Sequence, residues 1–158
     1  MKARAAIVAI YSVAMGYLEG VVVYYIRYAL GNVRGAAGVS SSLLVRFPWN
    51  IEQTREAATL VMLLTVALLA GRDLRERLAA FLWPFAIWDA MYYLALELLI
   101  RWPPSLNTED IYFLLPVPWG GPVWVPLLAD LLMVLLAAGL VNGARRRWSA
   151  SSARKHRR

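Results

Sequence analysis

Four long apolar runs occupy most of the chain, and acidic residues are set inside these runs rather than only between them. Glu19 lies in the first, Asp89 and Glu97 in the third and Asp130 in the fourth, while Glu56 opens the second. A run of about 20 apolar residues matches a hydrocarbon core about 30 Å thick. An ionised carboxylate is costly in hydrocarbon, so such side chains face a bundle interior or a wet cavity and find partners there. The pattern predicts an all-α fold: a bundle of four transmembrane helices with a polar interior. Hydrophobic residues make up 60% of the 158, which excludes an ordinary soluble domain.

The first span is read from Ala5 to Tyr28. Ala14-Met15-Gly16 imitates a cleavage site, but the apolar stretch continues through Ile26, beyond a signal-peptide core of about 7–15 residues. The helix is therefore expected to stay uncleaved. Gly31–Trp49 reads as a Gly/Ser-containing loop. Pro48-Trp49-Asn50 then reads as a helix start, with Asn50 as N-cap and Gln53 as its capping-box partner. Span two runs over Ile51–Gly71, and its wholly apolar part, Ala57–Ala70, covers only about 21 Å. The turns carrying Glu52, Arg55 and Glu56 must then sit at or just below the interface. A charged turn at Arg72–Arg77 leads into span three, Leu78–Ile100, with Pro84 expected to bend its early part. Ile111–Trp119 is apolar but broken by Pro116 and Pro118, and suggests an interfacial or re-entrant piece. Gly121-Pro122 suits the start of span four, Pro122–Asn142, with Trp119 and Trp124 in an aromatic belt. Residues 1–143 form one membrane domain and 144–158 a basic tail.

The charge bias orients this arrangement. Of the 17 Lys/Arg, twelve fall at the start of the chain, in the 72–77 turn and in the tail, which alone holds seven. The bias places both termini in the cytoplasm and the chain in the cell (inner or plasma) membrane as a multi-pass protein. The tail is expected to meet anionic lipid, at about 1 kcal/mol per charge, and nucleic acid need not be invoked. The expected partners are the lipid bilayer, other membrane subunits or further copies of the chain. With no cysteine, and with His156 as the single histidine, disulfides, thiolate metal sites and bis-histidine haem are excluded within the chain. Any metal would need oxygen ligands. The residues spell out no catalytic set and no metal site, and they specify no cofactor.

Helical rise places the intramembrane charge in the outer half. Glu19 and Asp130 fall about 12 Å below the outer end of their spans, Asp89 near the middle and Glu97 about 5 Å down. Gly16, Glu19, Gly20, Val23 and Arg27 share one helix face, and Asp89, Tyr93 and Glu97 form a stripe at i, i+4 and i+8. A polar intramembrane cluster is thus expected from Glu19, Arg27, Arg55, Glu56, Asp89, Tyr93, Glu97 and Asp130. The competing reading is purely structural, with Arg27 and Arg55 neutralising Glu19, Glu56 or Glu97 to fix the packing. Gly16-x-x-x-Gly20 is read as a packing feature only.

Several segments resemble an uncharacterised group of small bacterial and archaeal four-span proteins: Gly16–Tyr24 (GYLEGVVVY), Arg55–Leu60 (REAATL), Trp88–Tyr93 (WDAMYY) and Leu115–Trp119 (LPVPW). The resemblance covers roughly residues 10–135. It implies a membrane protein and draws attention to Glu19, Arg55, Glu56 and Asp89, but carries no mechanism. Three functions fit the sequence. The first is a non-enzymatic accessory or assembly component of a membrane complex. The second is a proton or cation conductor relaying through Glu19, Asp89 and Asp130. The third, a carboxylate-metal membrane enzyme, has neither a phosphate-binding motif nor a histidine base behind it.

Overall fold

The computed structural model describes residues 2–31 and 48–155. Helix α1 spans Lys2–Ala29, α2 Trp49–Ala70, α3 Leu74–Ile100 and α4 Trp124–Lys155. Each contains a stretch long and apolar enough to cross a membrane. The loop expected after Gly31, with Arg34 and Arg46, lies outside the described residues, as do His156 and the tail's side chains.

The helix boundaries differ from the sequence expectation where charged residues turned out to be helical. Helix α3 begins at Leu74 rather than Leu78, because Asp73 caps it by accepting from the Glu76 N–H at 2.9 Å. The Glu76 carboxylate reaches back to the Arg72 N–H at 3.0 Å, so two otherwise orphaned donors are satisfied within the charged turn. Asn50 does not cap α2. The helix already includes Trp49, and the Pro48 carbonyl accepts from Ile51 and Glu52 instead. Nor does Pro122 open α4, which starts at Trp124.

Gly121 and Pro122 belong instead to a β-hairpin, which takes in the Ile111–Trp119 segment expected to be interfacial or re-entrant. Strand β1 is Glu109–Phe113 and β2 is Trp119–Pro122, paired antiparallel with Asp110 opposite Gly121 and an irregularity between Ile111 and Phe113. The Val123 and Trp124 N–H groups donate to the Thr108 and Leu106 carbonyls at 3.0 Å. The chain before β1 thereby supplies acceptors at the N-terminal end of α4. At the end of α3, Arg101 adopts a left-handed conformation (φ 56°) and turns the chain toward the hairpin.

Helix α3 is the hub, packed against α1, α2 and α4, while α1 and α2 barely touch. The approach of α1 to α3 depends on two glycines. A Cβ at Gly16 would lie 2.7 Å from Met91 Cβ, and one at Gly20 would lie 2.6 Å from Ala95 Cβ, so only a missing side chain lets the backbones meet. Tyr93, Leu96, Ile100, Trp102 and Val123 form a core at the hairpin end; Met15, Leu63 and Trp88 form a second one below it. Large apolar side chains such as Ile10 (70% exposed), Leu69 (81%) and Leu98 (67%) point away from the protein. Apolar surface on this scale fits hydrocarbon as the surrounding solvent.

Candidate functional site

At the hairpin end, α1, α2, α3 and the hairpin enclose a cavity of about 210 Å³. Three linked polar constructions form its wall.

The first centres on Arg55. Its Nη1 donates to Glu19, and its Nε and Nη2 donate to Glu52, the Nε bond at 2.8 Å. Glu52 and Arg55 stand one helical turn apart on α2, so their forks meet naturally at i, i+3. Glu19 comes from α1, and this ion pair is the polar tie between two helices that otherwise hardly meet. All three side chains are largely withdrawn from solvent, at 28%, 14% and 13% exposure for Arg55, Glu19 and Glu52.

The second is a clamp on the backbone of Leu114. Both carboxylate oxygens of Glu56 accept from its N–H, at 2.9 and 3.1 Å, and Gln53 Nε2 donates to its carbonyl at 3.1 Å. Glu56 and Leu114 are each 7% exposed. Residues three apart on α2 thus satisfy the backbone N–H and the backbone carbonyl of one buried residue just beyond β1. A charge-assisted hydrogen bond of this kind contributes about 1.5–3 kcal/mol.

The third joins the hairpin to α1 and α3. Asp110 Oδ2 accepts from the hydroxyls of Tyr93 at 3.1 Å and Tyr92 at 3.3 Å, while Arg27 Nη2 stands 3.8 Å from Oδ1. That last separation is an electrostatic contact rather than a hydrogen bond. The Arg27 guanidinium also covers the Trp102 ring, 3.8 Å from its centroid. Burial pushes the Asp110 carboxyl above the usual carboxylate range, opposed by Arg27 and by the Tyr93 hydroxyl.

Of the sequence-predicted residues, Glu19, Arg27, Arg55, Glu56, Asp89 and Tyr93 line this cavity. Asp130, 6% exposed, lies behind it beside Asp89, and neither of its oxygens meets an N–H or O–H donor among the described residues. Asp89 on α3 and Asp130 on α4 are thus neighbouring carboxyl groups, contributed by two helices that pack together. Glu97 does not join them. It faces outward, 44% exposed, 3.9 Å from Arg101 on the next turn. Eight residues correspond to about 80° of rotation beyond two full turns, enough to carry Glu97 off the Asp89 face.

Sequence reasoning missed Asp110, Tyr92 and Trp102, and placed Glu52 at the interface without assigning it a partner. Asp110 lies outside the apolar runs, where the cost of burying a charge gave no signal. The β-branched and aromatic run Ile111-Tyr112-Phe113, with Gly120-Gly121 a few residues on, could have indicated a hairpin.

Chemically, the cavity's glutamates are already engaged by a guanidinium or a backbone N–H. No three His, Cys, Asp or Glu side chains converge as a metal-binding group among the described residues. The wall ties the hairpin to α1, α2 and α3. The chain matches no protein-family model, no curated protein and no solved structure.

Proposed function

We propose that the chain is a non-enzymatic accessory or assembly component of a membrane complex in the cell membrane. In this reading its charge network holds a rigid hairpin on the outer side, and both termini are cytoplasmic. Membership of the small prokaryotic four-span group is part of the proposal. The clamp on Leu114 carries it: Glu56 and Gln53, which a site could have used for chemistry, are both engaged by the backbone of one loop residue. The hairpin so fixed exposes Ile111, Val117 and Trp119 at 52%, 64% and 53%. A rigid apolar and aromatic rim of this kind suits a partner subunit. The test is the size of the detergent-solubilised particle from source membranes. The expected result is a particle larger than the 17.7 kDa chain accounts for, and a Trp119→Ser/Ile111→Ser variant that stays folded but runs alone. Identical migration of the variant and the parent chain would overturn the proposal.

The Asp89–Asp130 pair favours a second reading, in which the protein handles protons. Conduction needs a route across the other half as well. There Ala5–Leu18 of α1, Ala57–Ala70 of α2, Leu78–Trp88 of α3 and Leu131–Leu140 of α4 contain no ionisable group other than the phenols of Tyr11 and Tyr17. Moving an ion through such a region costs many kcal/mol unless water enters.

A further inference from the structure

A second cavity lies at the opposite end of the helices, where the termini gather. It is a groove of about 470 Å³ between α1, α3 and α4, reaching the end of α2, within the range of about 300–1,000 Å³ common to small-ligand pockets. Its walls are built largely from small residues, among them Ala5, Ala79, Ala137 and Ala138, so the helices leave room between them. Arg4 and Arg72 stand in its lining, and neither guanidinium has a carboxylate or hydrogen-bond partner among the described residues. Glu76 also lines it, but its carboxylate is occupied in capping the Arg72 N–H. Trp83 contributes an indole N–H that is buried without an acceptor.

We propose that this groove binds one anionic glycerophospholipid, with its phosphate held by Arg4 and Arg72 and an acyl chain lying along the alanine wall. The unmatched groups decide the chemistry. Arg4, Arg72 and the Trp83 N–H are cations or donors, and a lipid phosphate with its ester oxygens supplies the acceptors and negative charge they lack; Asn142, also in the lining, can donate its amide N–H to the same oxygens. A basic pocket between spans at the end carrying the positive bias is the usual setting for an anionic headgroup. An apolar helix from a second copy would fill the space but leave the buried Trp83 N–H unsatisfied and offer the two cations no negative charge. The site is distinct from the basic tail, whose attraction for a charged surface needs no groove.

The test is native mass spectrometry of the full-length protein in detergent, offered phosphatidylglycerol and phosphatidylcholine with identical acyl chains. One phosphatidylglycerol should be retained with a preference of about tenfold or more, as expected for two cationic contacts. That preference should survive replacement of all seven tail Lys/Arg by Gln. Arg4→Gln/Arg72→Gln, both at exposed positions, should reduce phosphatidylglycerol to the phosphatidylcholine level. Ala138→Phe, which fills the groove from an exposed position, should abolish retention of both. Three results would overturn the proposal. One is equal retention of the two lipids; another is a preference that follows the tail charges and ignores Arg4 and Arg72. The third is a dimeric mass that Ala138→Phe converts to monomer, which would assign the groove to a second copy.

Discussion

Replacing Glu19 by Gln tests how the charge network is wired. Breaking a fully buried ion pair costs about 3–5 kcal/mol, because the remaining charge is left without compensation. Arg55 is 28% exposed and keeps Glu52 when Glu19 is neutralised, so Glu19→Gln should cost less, about 1–2 kcal/mol. Arg55→Gln removes the cation from two carboxylates at once and should cost about 3–4 kcal/mol. The double variant should be less destabilised than the sum of the two by about 1–2 kcal/mol. Arg27 supplies the contrast. It stands on the same helix as Glu19, about 12 Å along the axis, and is committed to Asp110 and Trp102. The Glu19→Gln/Arg27→Gln cycle should be additive within about 0.5 kcal/mol. Reversible unfolding in mixed micelles, titrated with SDS, would measure both cycles. Coupling to Arg27 as large as that to Arg55, or additivity with Arg55, would refute the wiring.

Two further predictions concern the hairpin and the α1–α3 contact. Asp110 holds its proton more tightly when folded than unfolded, so its contribution to stability is present below the ordinary carboxylate value of 3.8 and is lost as pH rises through the raised one. Melting curves across this range should show wild type losing stability relative to Asp110→Asn as pH increases, and the opposite slope would refute the assignment. Gly16→Ala should destabilise by about 1–3 kcal/mol through overpacking against α3. Gly139→Ala, with open space around its Cβ, should be neutral or slightly stabilising; equal effects at the two positions would argue against the close approach.

The four helices were legible because a hydrocarbon-length apolar run has few alternative readings. Their ends were less so. Leu74–Arg77 looks like a turn by charge alone, yet Asp73 and Glu76 are spaced to cap a helix there. The hairpin was obscured by Pro116 and Pro118, which lie in the connection outside both strands. The expected cluster reached too far at Glu97, where an i+8 spacing does not keep a face. It fell short at Asp110, because a loop acid gives no warning that the fold will bury it. The pairing of Glu19 with Arg55 instead of Arg27 depends on how α2 docks near α1, and no local pattern encodes that distance.

In the proposed function the charges at the hairpin end serve structure and are not one end of a pathway. Purified protein in liposomes under an imposed potential tests it most directly. Proton and cation flux should not exceed that of empty vesicles, because the apolar half beyond Asp89 and Asp130 offers an ion no partner. Flux above that background, abolished by Asp89→Asn, would contradict the account and identify the Asp89–Asp130 pair as the working part of a conductor.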